Sequence, residues 1–263
     1  MSVVTYGDRA FRRATAPLRH YPGFLIIGGI RCGTTSLIRY LGEHPEVAIA
    51  STKEPHFFDW NFGRGDNWYR SFFPLRVAGR HLVVGESSPA YLMDTRAPAR
   101  SAASMPEARL LLLVRDPVER AHSHYRYRYE RGHEPAATFE EALALEEERL
   151  KQAVASGRGQ SLLSGYFHHG LYETGLSRWL EHFDRSQIMT IASEDFYADT
   201  SGVFARILRF LGLTNYELDH YAVHNAAASA TMDPVTRASL VDRYREPNER
   251  LYELIGVDLG WAR

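Results

Sequence analysis

Residues 24–37, Phe-Leu-Ile-Ile-Gly-Gly-Ile-Arg-Cys-Gly-Thr-Thr-Ser-Leu, join an apolar run, a loop with three glycines and one arginine, and the start of a helical pattern. Strand, loop and helix in that order offer backbone N–H groups and a positive helix end to an anion, usually a phosphate. The backbone from Gly33 to Ser36, with the Thr34 and Thr35 hydroxyls, suits a nucleotide 5′-phosphate. The ATP-binding form of such a loop places Lys and then Ser or Thr after the last glycine; here Thr34 and Thr35 follow Gly33. The cation is instead Arg31, upstream, where it can meet charge growing on a departing phosphate oxygen. A glycine-rich turn carrying a surface arginine is the plainer alternative. Cys32 reads as a residue that packs in the turn, because no neighbour in sequence is a dedicated base for a nucleophile.

A second segment runs Leu111-Leu-Leu-Val-Arg115-Asp-Pro117 and continues to Ser123. An apolar strand ends in Arg115, and Pro117 suits the first turn of a helix. Ligands of open parallel sheets gather beyond the carboxyl ends of strands, so Arg115 can offer its fork to a second phosphate. Ser123 can add a hydroxyl along the helix. An Arg115–Asp116 pair that merely caps the sheet is the other reading. A magnesium site would want a carboxylate first after the strand, and a cation stands there.

The third segment is Lys53-Glu-Pro-His-Phe-Phe-Asp-Trp60. Glu54 is a candidate general base, with His56 as the alternative, and the aromatic surroundings are expected to raise the Glu54 pKa.

These segments need a frame. Short apolar runs near 24–29, 46–50, 82–86, 109–114 and 187–192 predict strands. Helical patterns fall near 34–43, 66–73, 95–104, 117–131, 138–154, 171–183, 201–211 and 234–255. Alternation of this kind predicts an α/β fold with a mainly parallel sheet covered on both faces. Thr138 and Glu141 form a capping box, followed by a charged stretch from Glu146 to Lys151 that reads as a solvated face. Residues 1–21 are basic and lack periodicity, so they read as a loose lead-in to one domain over 22–263. Residues 156–161, Ser-Gly-Arg-Gly-Gln-Ser, read as a surface linker or a lid.

With 263 residues, 24% of them charged and a net charge of −1, the composition is that of a globular protein and argues against broad electrostatic binding of nucleic acid. The single cysteine excludes an internal disulfide. The apolar stretch behind Arg9, Arg12, Arg13 and Arg19 is too short to span a bilayer, which takes about 20 residues. A soluble, cytoplasmic protein without a membrane partner is the expectation.

Taken together, Arg31-Cys-Gly-Thr-Thr-Ser36, Arg115-Asp-Pro with Ser123, and Glu54-Pro-His-Phe-Phe-Asp59 resemble the 3′-phosphoadenylyl sulfate (PAPS)-dependent sulfotransferases, above all the heparan-sulfate type and its bacterial relatives. Weaker echoes lie at Gly85–Tyr91, at Gly170-Leu-Tyr172 with Trp179, and from Glu246-Pro-Asn248 to Trp261. The resemblance implies a single α/β domain, PAPS as co-substrate with the bisphosphate PAP as product, and no metal. It implies a 5′-phosphosulfate loop over Arg31, Cys32, Gly33, Thr34, Thr35 and Ser36, a 3′-phosphate site at Arg115 and Ser123, and a catalytic Glu54. The acceptor would be a hydroxyl of a glycan or a small natural product. Two departures stand out: the family's loop lysine is here Arg31, and a second lysine of the glycan members is Ser87. A Lys-Gly-Arg stretch has no clear match near 226–232, where His224 and Asn225 are the polar landmarks. A P-loop kinase or NTPase, and a non-catalytic module for phosphorylated or sulfated ligands, are the rival readings.

Overall fold

Unbroken apolar runs fold as strands buried on both faces, and all five expected strands are present in the computed structural model, which describes residues 6–79, 81–155, 165–222 and 231–261. They are β1 (Phe24–Gly28), β2 (Val47–Ile49), β3 (Val83–Ser87), β4 (Arg109–Val114) and β5 (Ile188–Ala192). Every pairing is parallel and the order across the sheet is β2-β3-β1-β4-β5. The centre is the most apolar part: β1 is buried along its whole length, and β4 is buried beyond Arg109.

The helices in chain order are α1 (Tyr6–Ala14), α2 (Thr34–Glu43), α3 (Asp66–Arg70), α4 (Ala97–Ser104), α5 (Pro117–Tyr129), α6 (Phe139–Ala144), α7 (Glu146–Ala155), α8 (Tyr172–Leu180), α9 (Ser193–Ala198), α10 (Thr200–Leu211) and α11 (Pro234–Ile255). Local chemistry explains several ends. Asp116 caps α5 by accepting from the N–H groups of Val118 and Glu119, with Pro117 in the first turn. The Thr138–Glu141 capping box starts α6.

Three expectations change. The helix expected over 138–154 is two helices meeting at Leu145. At that joint Glu146 turns inward, 5% exposed, and accepts from the N–H groups of Phe167 and His168, so it leaves the solvated face. The lead-in expected to lie loose over 1–21 contains α1, and its Arg19 is buried, donating to the Phe73 carbonyl at 2.7 Å. Short α9 has no long periodic pattern to announce it, yet it closes the end of β5. The linker or lid over 156–161, and His224 and Asn225, lie outside the described residues. No helix among the described residues is long and apolar enough to cross a membrane.

Candidate active site

β1 delivers the glycine loop to the carboxyl edge of the sheet, where the Gly29 N–H donates to the Leu113 carbonyl of β4. Arg31 adopts φ 67° and Gly33 φ 93°. Gly33 is the N-cap of α2 and no side chain caps that helix, so its first-turn N–H groups are not claimed by a capping side chain. A Cβ at Gly33 would stand 2.8 Å from the Tyr197 hydroxyl, which keeps the turn to glycine on steric grounds as well. Distant side chains pin the loop. Ser193 Oγ donates to the Cys32 carbonyl at 2.7 Å, and the Tyr172 hydroxyl lies 3.4 Å from Cys32 Sγ. Burial pushes the Cys32 thiol up in pKa, Tyr172 offsetting part of the rise, as befits a packed thiol.

The same Tyr172 hydroxyl donates to the Arg115 carbonyl at 2.9 Å, so one side chain ties the end of β4 to the glycine loop. From α5, Ser123 Oγ accepts from Arg31 Nε at 3.3 Å. One turn on, the Tyr127 ring stacks under the Arg31 guanidinium at 4.3 Å and also meets that of Arg131 at 3.7 Å. Burial pulls the Arg31 pKa down; Tyr127 opposes this, and the nearby charges of Arg115 and Arg131 add to it. Arg31 and Ser123, 92 positions apart in sequence, therefore meet.

The loop after β2 carries the carboxylate. Glu54 and His56 both take positive φ, 48° and 50°, a strained backbone for side-chain-bearing residues. Glu54, its side chain 34% exposed, lies 3.3 Å from Lys53 Nζ and 3.5 Å from His56 Nε2. The other ring nitrogen of His56, Nδ1, lies 2.8 Å from Oδ2 of the buried Asp59, and the ring stacks on Trp60 with centroids 3.8 Å apart. Burial alone would lower the His56 pKa, but Asp59 and Glu54 outweigh it and hold the imidazole up at about 9. At neutral pH His56 is thus an imidazolium between two carboxylates, with no nitrogen lone pair to accept a proton.

The expectation of a raised Glu54 pKa is corrected here. Burial does push the carboxyl up, yet the hydrogen bond from His56 and the charge of Lys53 bring it below its ordinary value.

Beneath the loop, Glu86 of β3 is 1% exposed and accepts three hydroxyls, from Tyr69 at 3.1 Å, Tyr91 at 2.8 Å and Ser88 at 2.9 Å. Tyr91 in turn accepts the N–H of Phe57 at 2.8 Å and of Phe58 at 3.3 Å, and Ser88 accepts the N–H of His56 at 3.1 Å. Burial raises Glu86 to about 7, the three hydroxyls and His56 holding it from going higher.

A cavity of about 190 Å³ joins these parts: Arg31, Thr34 and Thr35 line one wall, Glu54, His56 and Trp60 another. His124, Tyr127 and Arg128 of α5 close it. Ser123 reaches the cavity only through Arg31, and Arg115, Cys32, Gly33 and Ser36 do not line it. The roles of His124 and Tyr127 were missed, although Ser123 with Tyr127 and His124 with Arg128 each recur at helical spacing on the strand-end helix. Among the described residues no group of three or more His, Cys, Asp or Glu is placed to hold a metal ion.

Comparison with known proteins gives a consistent outcome. The sulfotransferase domain model matches residues 22–245. Human heparan sulfate glucosamine 3-O-sulfotransferase 6 is 31% identical over 271 residues, spanning 93% of this chain and 75% of its own. Mouse heparan sulfate glucosamine 3-O-sulfotransferase 3B1 is 29% identical over 92% of this chain, which spans 65% of that relative. The crystal structure of a sulfotransferase from Alicyclobacillus acidocaldarius superposes with a TM-score of 0.78 at 32% identity, covering 93% of this chain and 100% of the other.

Proposed function

Because this chain belongs to the sulfotransferase domain family and is a sulfotransferase, we propose that it transfers the sulfuryl group of PAPS to a hydroxyl of a carbohydrate or small natural-product acceptor, with Glu54 as general base. The uncapped first turn of α2 and the gathered cations Arg31 and Arg115 fit a donor that carries phosphate groups. When bound, that donor supplies the activated sulfuryl group.

Each role follows from a position. Gly33 to Ser36 hold the 5′ end through backbone N–H groups, with Thr34 and Thr35 adding hydroxyls and Cys32 packing the turn. Arg115 and Ser123 read the 3′-phosphate. Glu54 takes the acceptor proton; the adjacent cations Lys53 and His56 keep it ionised and ready to do so. His56 positions Glu54 and is itself anchored by Asp59. Arg31 stabilises charge on the departing phosphate oxygen from a guanidinium held by Ser123 and Tyr127. As an arginine in place of the lysine implied by the resemblance, it donates hydrogen bonds without giving up its proton. Positioning and electrostatics therefore carry more of the leaving-group assistance than proton transfer does.

The observation that supports this reading best is a single cavity with Arg31 on one wall and Glu54 on another. Transfer of radiolabelled sulfate from PAPS to a panel of hydroxylated acceptors tests it. Glu54→Gln should lower kcat by about a hundred- to ten-thousandfold, the range general base catalysis supplies, while PAP binding by calorimetry stays nearly unchanged. Near-normal turnover in that variant removes Glu54 from the role.

A further inference from the structure

His124 helps close the cavity that Arg31 and Glu54 line, and the reaction described above gives it no task. It follows Ser123 on α5, the residue that holds Arg31, and is 3% exposed. One turn earlier on the same helix face stands Arg120, wholly buried. Arg120 Nη2 donates to the Tyr166 carbonyl, and its Nη1 lies 3.5 Å from His124 Nδ1. Among the described residues no carboxylate comes within ion-pair distance of Arg120. The Tyr166 and His169 rings meet the imidazole edge-on, with centroids 5.2 and 5.8 Å away, so the ring is wedged in place.

Those contacts decide which ring nitrogen carries the proton. A guanidinium has donors only, so Nδ1 must meet Arg120 as a lone pair, and the proton of the neutral ring is on Nε2. Burial lowers the His124 pKa well below its ordinary value, and the charges of Arg120, His169, Arg128 and Arg31 add to the effect. The ring is therefore neutral at neutral pH, with its lone pair spent on Arg120 and one N–H to give. Among the described residues that N–H has no partner. A buried donor left unpaired is costly, so a ligand in the cavity is its natural acceptor. Other polar groups around the cavity are committed. Lys53 and one His56 nitrogen serve Glu54, the second His56 nitrogen serves Asp59, and Arg128 donates to the His133 carbonyl.

We propose that His124 is a further catalytic residue, whose Nε2–H donates a hydrogen bond to an oxygen of the transferring sulfuryl group while Arg120 holds the ring in aim. The proposal rests on the reading of Arg31 and Glu54 given above, which puts that group between the two. In the transfer, the sulfur–oxygen bond to the 5′-phosphate breaks and a sulfur–oxygen bond to the acceptor forms. The acceptor proton goes to Glu54, and His124 keeps its own proton throughout. A neutral donor suits this position, because another full cation beside Arg120, Arg128 and Arg31 would be repelled by all three.

The test uses the full chain without acceptor, and as probes PAPS and PAP, which differ only in the sulfuryl group. By calorimetry, His124→Phe should weaken PAPS binding about ten- to hundredfold, the scale of one hydrogen bond to a charged group, and leave PAP binding nearly unchanged. His124→Gln, whose amide N–H stands in for Nε2–H, should recover most of the PAPS affinity. Nitrogen NMR of the native chain with isotope-labelled histidine reads the same contact without relying on how a variant folds. The His124 signals, assigned by their absence in His124→Gln, should be those of a neutral ring protonated on Nε2. The Nε2 resonance should shift when PAPS is added and barely move with PAP. A ring protonated on Nδ1, or an imidazolium, overturns the proposal. So does an Nε2 resonance indifferent to PAPS, unchanged PAPS binding in His124→Phe, or an equal loss of PAPS and PAP affinity in both variants. A native chain that binds neither nucleotide would sink the donor reading and this proposal with it, whereas native binding of PAPS that does not involve His124 confines the failure to His124.

Discussion

Glu54 is a carboxylate whose neighbours decide its chemistry. The aromatic residues around it pointed toward a raised pKa, and Lys53 and His56 reverse the sign. Lys53 was legible, being the adjacent residue; the His56 contact was not, because it needs the positive φ that both residues adopt. His56 carries a pH signature. Its folded pKa, about 9, lies above the ordinary 6.5, so its protonated form stabilises the fold fully below the ordinary value, and that contribution is lost as pH rises through the folded value. Glu54, whose pKa is lowered, behaves oppositely and contributes above its ordinary value. The melting-temperature gap between native protein and His56→Gln should therefore narrow as pH is raised from about 6 to about 10. A gap that stays constant over that range would show that the ion pairs with Glu54 and Asp59 do not hold the ring.

At the scale of elements, the loop that carries Glu54 is held from below by the end of β3 and the turn after it. Tyr91 accepts from the N–H groups of Phe57 and Phe58 and donates its own hydroxyl to Glu86, so removing that hydroxyl strands two backbone donors and one carboxylate contact. Tyr91→Phe should cost about 1–3 kcal/mol by urea unfolding, the penalty of unsatisfied buried polar groups. It should lower kcat as well, because the strained backbone at Glu54 and His56 loses its support. Unchanged stability would mean that water replaces the hydroxyl. The Gly85–Tyr91 stretch was visible only as a weak echo of the glycan sulfotransferases, since nothing local in Glu86 announces three hydroxyl partners. Strand and helix positions were more legible. Apolar runs fix strands, and caps such as Thr138 with Glu141 fix helix starts. The break at Leu145 was not, because it depends on Glu146 meeting backbone groups more than twenty residues away.

For the whole molecule, strand order explains why the site lies where it does. From β1 the chain steps outward to β2, returns to β3, and then crosses to β4 on the other flank of β1. Winding reverses between β1 and β4, and the loops after those two strands carry Arg31 and Arg115 at the crevice where open parallel sheets bind ligands. The sequence located both loops without revealing that β1 and β4 are neighbours; that pairing joins segments about eighty residues apart. Ser123 against Arg31, and Tyr172 against both Cys32 and Arg115, are consequences of the same pairing. On the proposed reading, this crevice holds an adenosine nucleotide phosphorylated at both the 3′ and 5′ ends. Calorimetric titration of the native chain and of Arg115→Ala with PAP and with ADP, each with and without magnesium, tests it most directly. The native chain should bind PAP at least about tenfold more tightly than ADP, as a charge-assisted contact to the 3′-phosphate implies, magnesium should make no difference, and Arg115→Ala should erase the preference. Equal binding of ADP, or a requirement for magnesium, would contradict it.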